Sequence, residues 1–373
     1  MQTKIIKLDP NNIDNTALCE AAAIIREGGL VAFPTETVYG LGADALHSEA
    51  SKKIYAAKGR PSDNPLIVHI SSYKDLLSIA KEVPPEAKKL ADAFWPGPLT
   101  MIVWKNDNVP PETTGGMDTV AVRMPNHPIA LRLIAESGCL IAAPSANTSG
   151  KPSPTEASHV ALDMNGRIPM ILDGGPVGIG IESTIIDLTE AKPMILRPGY
   201  ITKDMLEAVL EKEVEIDPGI LASEAACTHP LEAACTHPPG DITGPEASGL
   251  KPKAPGMRYK HYAPKADLVL VDGEAGDVVA KINELVQKKQ ETGQKIGVIA
   301  TDETKSLYQS DYVVSIGARQ DEDAIARHLY KILREFDDLN VDAIYSESFS
   351  TPRMGQAIMN RLLKAAGHQV IHV

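Results

Sequence analysis

Short apolar segments alternate with amphipathic helices along most of this chain, and the alternation limits the fold more than any other feature. In the first half, an apolar segment at 30–34 precedes a helical pattern at 48–58, and a second apolar segment follows at 66–70. The same alternation returns from residue 267 onwards. Strands separated by helices are typical of sheets that helices cover. The sequence therefore predicts an α/β protein.

The length of 373 residues exceeds what a single hydrophobic core usually serves, so two domains are expected. Residues 218–255 are rich in Pro, Gly, Ala and Ser, a composition typical of a linker. We therefore predict a catalytic domain at 1–215, a linker and lid at 216–264, and a smaller α/β domain at 265–373 that supports or covers the first.

Composition excludes several classes of protein. The formal net charge of -12 argues against a chain that coats nucleic acid through its overall charge, and only 4% of the residues are aromatic, so base-stacking platforms are scarce. No apolar run approaches the ~20 residues of a membrane-spanning helix, and Met1–Lys4 does not begin a signal peptide. We expect a cytoplasmic protein.

Two cations stand on a loop whose conformation is restricted. Lys58 and Arg60 flank a glycine, and Pro61 and Pro65 follow. Because proline fixes φ and bars a regular helix, the cations lie on a defined loop next to the apolar segment 66–70. Fixed cations at a strand end suit a polyanion such as a nucleoside triphosphate. A solvated surface loop is the alternative.

Polar groups follow two other apolar segments. Thr35, Glu36 and Thr37 come directly after the first, and the loop 144–154 supplies hydroxyl, amide and backbone N–H donors suited to phosphate. Open α/β sheets bind ligands at such strand ends. Residues 40–45 match the dinucleotide pattern G-x-G-x-x-A, but they stand too far from the strand and lack the acid that a ribose needs. We reject NAD binding.

Two ionisable residues stand in apolar surroundings. His69, near the end of segment 66–70, could bind a ligand or be a buried structural histidine. Arg123 lies among apolar neighbours in segment 119–124. A charge in such a strand is costly unless an anion pairs with it, and either a substrate or an internal salt bridge could supply that anion.

The cysteines divide into two kinds. Cys19 and Cys139 lie in apolar segments and are predicted to be small core residues of a reduced protein. The other two belong to a repeat with four potential zinc ligands, namely Cys227, His229, Cys235 and His237. A tandem duplication within the linker is the interpretation we favour.

Several motifs of the chain belong together, namely those in segments 34–42, 58–66, 95–100, 120–125 and 144–147. They include K-x-R followed at a distance by S-x-N, formed by Lys58, Arg60, Ser145 and Asn147. In this combination the chain resembles the YrdC-like threonylcarbamoyl-AMP synthases, whose signature is K-x-R followed by S-x-N. Segments 254–264 and 359–361 resemble the long, two-domain form. The resemblance implies a twisted, open, mixed sheet flanked by helices, followed by a smaller Rossmann-like parallel α/β domain.

The resemblance also implies a nucleotidyltransferase reaction. L-Threonine, bicarbonate or CO₂, and ATP with Mg²⁺ give threonylcarbamoyl-adenylate and pyrophosphate, and a partner complex then modifies an adenosine in tRNA. The implied threonine site comprises Thr35, His69, Arg123, the backbone at Ala143, and Ser183. The implied ATP site comprises Lys58, Arg60, Thr119, Ser145, Asn147, Ser153, Arg197 and, from the linker, Tyr259. Lys58 and Arg60 are the implied catalytic residues, and no protein ligands for a metal are implied.

Two other functions compete with this interpretation. A double-stranded RNA-binding module would need a basic concave surface, which the acidic total charge and the few aromatics disfavour. Carbamoyl transfer from carbamoyl phosphate usually involves additional acylphosphatase, zinc or kinase-like modules, and none is evident in the sequence.

Overall fold

A computed structural model describes residues 1–225, 253–254, 262–349 and 353–373. Tyr259 and the Cys/His repeat lie outside the described residues. Over these described residues the fold is α/β, with one sheet of eleven strands and one of five. Among the described residues, no helix is both long and apolar enough to cross a membrane.

The larger sheet is mixed. Its strands are β1 (Lys4–Lys7), β2 (Val31–Phe33), β3 (Gly40–Asp44), β4 (Ile67–His69), β5 (Leu99–Trp104), β6 (Thr119–Arg123), β7 (Ile141–Ala142), β8 (Met170–Asp173), β9 (Thr184–Asp187), β10 (Met194–Arg197) and β11 (Glu215–Ile216). They are ordered β1-β8-β2-β3-β7-β4-β6-β5-β9-β10-β11. The helices of this half are α1 (Asn15–Arg26), α2 (Ser48–Lys58), α3 (Tyr73–Ile79), α4 (Pro85–Phe94), α5 (Pro111–Thr114), α6 (Pro128–Ser137), α7 (Ala157–Met164), α8 (Lys203–Leu210) and α9 (Pro218–Ala225).

The smaller sheet is parallel throughout. It contains β12 (Asp267–Asp272), β13 (Ile296–Ala300), β14 (Tyr312–Ser315), β15 (Ala343–Glu347) and β16 (Val370–His372), in the order β14-β13-β15-β12-β16. Its helices are α10 (Ala275–Gln290), α11 (Glu322–Leu339) and α12 (Gly355–Ala365), with a 3₁₀ turn at Lys305–Leu307. The predicted fold class, a mixed sheet followed by a parallel one, is confirmed.

Helix α2 delivers the cationic loop. The His47 side chain caps its start by accepting from the backbone N–H of Ala50, and Gly59 ends it at φ 63°. A left-handed backbone conformation at a helix end costs little conformational energy only for glycine. Gly59, between the two cations, therefore ends the helix. The helix therefore ends at Lys58, as predicted, and Arg60 begins the loop.

The central strands bring distant polar residues together. Strand β4 runs parallel to β6 and antiparallel to β7, and its register pairs His69 with Arg123. Strands β2 and β3 form an antiparallel pair, so the turn between them, which carries Thr35, reaches the same region. The sheet register thus creates the cluster of polar strand ends that the sequence predicts.

One expectation is wrong. Cys19 is exposed and Cys139 is only half-buried, so neither is a fully buried core residue. Helix α1 is amphipathic and buries only one of its faces, and Cys19 lies on the exposed face. At the start of the predicted linker, residues Pro218–Ala225 form the short helix α9, and the boundaries of the linker stay a prediction.

The second sheet domain packs directly against the first. Val38 and Ile181 share an apolar cluster with Tyr330 and neighbouring residues of α11. At Gly180 the backbone has φ 92°, and an added Cβ would lie 2.4 Å from the Cα of Arg327 and 2.6 Å from the carbonyl oxygen of Ala326. Only glycine fits between α11 and the first domain at this point.

We predict that Gly180→Ala destabilises the protein by about 3 kcal/mol or more, because strained backbone and a backbone clash add together. Gly138→Ala is the control: its φ is also positive, at 63°, but nothing lies within 4 Å of the added Cβ. It should cost about 1–2 kcal/mol. Urea unfolding midpoints measure both. Equal losses of unfolding free energy in Gly180→Ala and Gly138→Ala would contradict the close packing of Gly180 against α11.

Candidate active site

One cavity collects side chains from strand ends and loops far apart in the sequence. Every residue predicted to contact threonine lines it, namely Thr35, His69, Arg123, Ala143 and Ser183. Most residues predicted to bind ATP line it too, namely Lys58, Arg60, Ser145, Asn147, Ser153 and Arg197. The structure therefore brings the two predicted sets into one place.

Among the described residues, one predicted ATP contact is not in this lining. Thr119 begins β6, and Arg123 ends it, so about 13 Å of strand separates them. Thr119 is buried but is not among the residues that line the cavity. Tyr259 lies outside the described residues. Their assignment to ATP stays a prediction.

Lys58 ties the two signature loops together. Its ammonium nitrogen donates to the carbonyl oxygens of Ser145 and Asn147, at 2.5 Å each, and its own carbonyl accepts from the N–H of Ser149 at 2.9 Å. Burial, reinforced by the neighbouring Arg60, holds the pKa of Lys58 well below its ordinary value. The K-x-R and S-x-N motifs are thus parts of one hydrogen-bonded unit.

The S-x-N loop is also fixed from within. The Ser145 hydroxyl donates to the Asn147 side-chain oxygen at 2.5 Å. The Asn147 amide donates to the carbonyl oxygens of Thr148 and Lys151, at 2.8 and 2.9 Å. Arg60 is also fixed by a hydrogen bond within its own loop, which its guanidinium donates to the side-chain oxygen of Asn64 at 2.6 Å. Burial lowers the pKa of Arg60 to about 10, which leaves it cationic at neutral pH.

Arg123 has an anionic partner within the protein. Its Nη2 lies 2.7 Å from Oε1 of Glu36, and its Nε donates to the carbonyl oxygen of Gly97 at 3.3 Å. The internal salt bridge considered from the sequence is therefore present. Arg123 nonetheless lines the cavity, so the pair is compatible with binding of a substrate carboxylate.

His69 is buried beside this arginine. Burial, with the charge of Arg123 second, lowers the pKa of His69 to about 3, so the ring is neutral at physiological pH. Its Nδ1 lies 3.2 Å from the carbonyl oxygen of Ile67, and the backbone of Ile141 is a second hydrogen-bonding partner of the ring. A neutral imidazole has one donor and one acceptor nitrogen, and the tautomer decides which is which.

Arg197 and Ser183 form the opposite wall. The Arg197 guanidinium donates to the carbonyl oxygen of Ser183 at 3.0 Å and to its hydroxyl at 3.1 Å. Burial lowers the pKa of Arg197. The Ser183 hydroxyl also lies 2.7 Å from that of Thr100, so its position is fixed by two neighbours.

Sequence reasoning missed a buried carboxylate in the lining, that of Glu182. Its Oε1 accepts from Ser153 at 2.6 Å, and its Oε2 accepts from Tyr330 at 2.8 Å and Arg361 at 3.2 Å. Burial alone would raise the pKa of Glu182, but Arg361 and Arg197 lower it overall. The only available signal was the segment 359–361, whose arginine proves to be fully buried.

The described end of the linker also enters the cavity. Tyr262 lines it and stacks on Tyr330 with ring centroids 5.1 Å apart, and the N–H of Ala263 donates to the carbonyl oxygen of Gly150 at 3.0 Å. Tyr262, a described residue of the predicted lid, thus lies inside the site.

The charges that line the cavity favour an anionic ligand. The cationic side chains are Lys58, Arg60, Arg123, Lys151 and Arg197, and they face the single carboxylate of Glu182 in the described lining. Within the described ranges, no group of three or more His, Cys, Asp and Glu residues is arranged to hold a metal ion. The site can thus neutralise a polyanion through its own cations.

Comparison with known proteins decides the family. A model described as "Telomere recombination" matches residues 23–199, and one described as "Threonylcarbamoyl-AMP synthase, C-terminal domain" matches residues 201–367. Threonylcarbamoyl-AMP synthase of Bacillus subtilis is 47% identical over 97% of this chain and 96% of that protein. The chain belongs to the threonylcarbamoyl-AMP synthase family.

Other members of the threonylcarbamoyl-AMP synthase family agree over the same length. The synthase of Pyrococcus abyssi is 49% identical over 95% of both chains. A crystal structure described as P. abyssi Sua5 complexed with L-threonine superposes with a TM-score of 0.87 at 47% identity, covering 100% of both chains. The similarity therefore extends over both sheets.

The buried neutral His69 predicts a pH dependence of stability. The unfolded chain protonates this ring below about pH 6.5, whereas the folded protein does not, so acid favours unfolding by up to about 1.4 kcal/mol per pH unit. In His69→Gln this contribution disappears, so the free energy of unfolding should decrease less steeply than in the wild type as the pH falls from 6.5 to 4. Urea unfolding at a series of pH values measures the slope; identical slopes would contradict a neutral His69.

Proposed function

We propose that this protein is a threonylcarbamoyl-AMP synthase, which converts L-threonine, bicarbonate or CO₂, and ATP to threonylcarbamoyl-adenylate and pyrophosphate. The observation that carries the proposal is that all five predicted threonine contacts and six of the eight predicted ATP contacts line one cavity, whose described lining has five cations and one carboxylate. A single cavity of this charge can hold a triphosphate beside an amino acid.

The amino acid occupies the end of the cavity formed by β4 and β6. Arg123 binds the threonine carboxylate, which supplies a functional reason for an arginine in a buried strand. His69 contacts the threonine as a neutral imidazole, which carries no charge that would compete with Arg123 for the carboxylate. The other threonine contacts in this proposal are Thr35, the backbone at Ala143, and Ser183.

The nucleotide occupies the end formed by the two signature loops. The proposed ATP-binding residues are Lys58, Arg60, Ser145, Asn147, Ser153 and Arg197, together with Thr119 and Tyr259. Magnesium accompanies ATP as part of this substrate. A magnesium ion usually keeps several waters and is held largely by substrate phosphates, which fits a described lining with one carboxylate.

Two bond-forming steps are required. The threonine amine attacks the carbon of bicarbonate, water leaves, and a carbamate forms. A carbamate oxygen then attacks the α-phosphorus of ATP, and the bond to pyrophosphate breaks. Since the substrate supplies the nucleophile, the protein positions the reactants and neutralises charge, principally with Lys58 and Arg60. The linker acts as a lid that excludes water from the labile carbamate.

The proposal also covers the use of the product in the cell and the domain boundaries of the chain. The adenylate serves the first step of threonylcarbamoyladenosine formation in tRNA, and a partner complex consumes it in the cytoplasm. We propose the domain boundaries 1–215 and 265–373, with the lid at 216–264. The rival functions are distinguishable, since carbamoyl transfer would need carbamoyl phosphate in place of threonine and bicarbonate, and RNA binding would be strongly salt-dependent.

We predict that purified protein releases pyrophosphate from ATP only when both threonine and bicarbonate are present. Lys58→Met should reduce the rate by about a hundredfold or more, because one fixed cation is lost from the reacting phosphates. Lys88→Met is the control: this exposed lysine pairs with Asp92 on α4 and does not line the cavity. Because Lys58 also ties two loops, circular dichroism must confirm that the variant is folded.

A pyrophosphate release that does not depend on threonine would overturn the proposed function. Release that remains near the wild-type rate in folded Lys58→Met would refute the role of Lys58 and leave the reaction itself in place.

A further inference from the structure

Lys151 is a lysine of the cavity lining that the predicted site does not include. Its ammonium nitrogen lies 2.9 Å from Oδ1 of Asp163, and its side chain is 43% exposed. The side chain of Asp163 is fully buried. Lys151 therefore combines a buried anionic partner with access to the cavity where the triphosphate is proposed to bind.

Asp163 has a second cationic partner from the other domain. The Nη2 of Arg334, a largely buried residue of α11, lies 2.8 Å from Oδ2 of the same carboxylate and 2.6 Å from the carbonyl oxygen of Pro152. The hydrogen bonds to Arg334 and Lys151 lower the pKa of Asp163, although burial alone would raise it. The buried carboxylate of Asp163 thus forms ion pairs with two cations, and the charge of Arg334 alone is enough to neutralise it.

The backbone of Lys151 is held by hydrogen bonds, whereas its side chain is partly exposed and has Asp163 as its one ion-pair partner among the described residues. Its carbonyl oxygen accepts from the Asn147 amide at 2.9 Å, and the carbonyl oxygen of the preceding Gly150 accepts from the N–H of Ala263 at 3.0 Å. A lysine is a flexible stem with a compact charge. The ammonium can therefore turn from Asp163 toward the cavity without movement of the loop.

The energetics favour this exchange. The Lys151 side chain is partly exposed, and Asp163 keeps Arg334 as its counterion, so the departure of Lys151 leaves no unpaired buried charge. A charge-assisted hydrogen bond from the ammonium to a phosphate is strong. The other lining cations are already hydrogen-bonded inside the wall, as Lys58 is to Ser145 and Asn147.

We propose that Lys151 leaves Asp163 when ATP enters and binds its phosphate groups, while Arg334 remains as the counterion of Asp163. The inference rests on the proposed function in that it takes ATP as the nucleotide of this cavity. It adds a binding residue to the ATP site and gives the second domain a defined task, which is to keep a buried carboxylate neutralised when the lysine departs.

The test is equilibrium binding of Mg·ATP and of adenosine to the full-length protein by isothermal titration calorimetry. We expect Lys151→Met to weaken ATP binding by about tenfold and adenosine binding by less than about twofold, because only the phosphates lose a partner. Lys151→Arg should retain most of the ATP affinity. Raising the salt concentration should weaken ATP binding less in Lys151→Met than in the wild type.

Lys331→Met is the matched control. The Nζ of Lys331, on α11, lies 2.9 Å from Oε1 of Glu156 in the first domain. Lys331 does not line the cavity, so the ATP affinity of this variant should be unchanged. Unchanged ATP binding in Lys151→Met, or an equal loss for ATP and adenosine, would overturn the inference. The proposed function is tested separately, because the wild-type protein must still release pyrophosphate whatever this variant does.

Discussion

The buried ammonium of Lys58 donates to the carbonyl oxygens of Ser145 and Asn147, and this contact joins the two loops that form the nucleotide end of the cavity. A buried cation is costly in an apolar interior unless oxygen atoms surround it. Here the backbone supplies those oxygens, so the cation is kept in place before any ligand arrives. The wall of the site is therefore organised by the same group that is proposed to act on the substrate.

The second domain contributes to this organisation through buried charge. Arg361 and Tyr330 both reach the carboxylate of Glu182, which in turn accepts from Ser153 in the cavity wall. Removal of one partner of such a pair leaves an uncompensated buried charge. The contact therefore couples the position of the second domain to the geometry of the pocket, and the two halves function as one unit at this point.

Local sequence signals predicted much of the fold. Helix α2 was predicted with its observed ends because helix-forming residues precede a glycine that adopts the left-handed conformation. Strand β3 was missed because its glycines give no strand signal, and its pairing with β2 and β7 depends on residues far along the chain. The exposed Cys19 was misjudged because an apolar segment does not reveal which face of a helix packs inward.

The sequence predicts only the part of the site that local motifs reveal. Motifs that lie within one loop, such as Lys58 with Arg60, are visible in the sequence. The contact of Glu182 with Arg361 joins residues 179 positions apart, and no local pattern reports it. Long-range buried pairs of this kind need the three-dimensional structure.

The central claim is that one cavity holds a nucleotide and an amino acid side by side. A crystal structure with a non-hydrolysable ATP analogue and L-threonine tests it most directly. The account predicts density for both ligands in the described cavity, with the threonine carboxylate at Arg123 and the phosphates at Lys58 and Arg60. Nucleotide bound on the second domain, or on a face away from these cations, would contradict it.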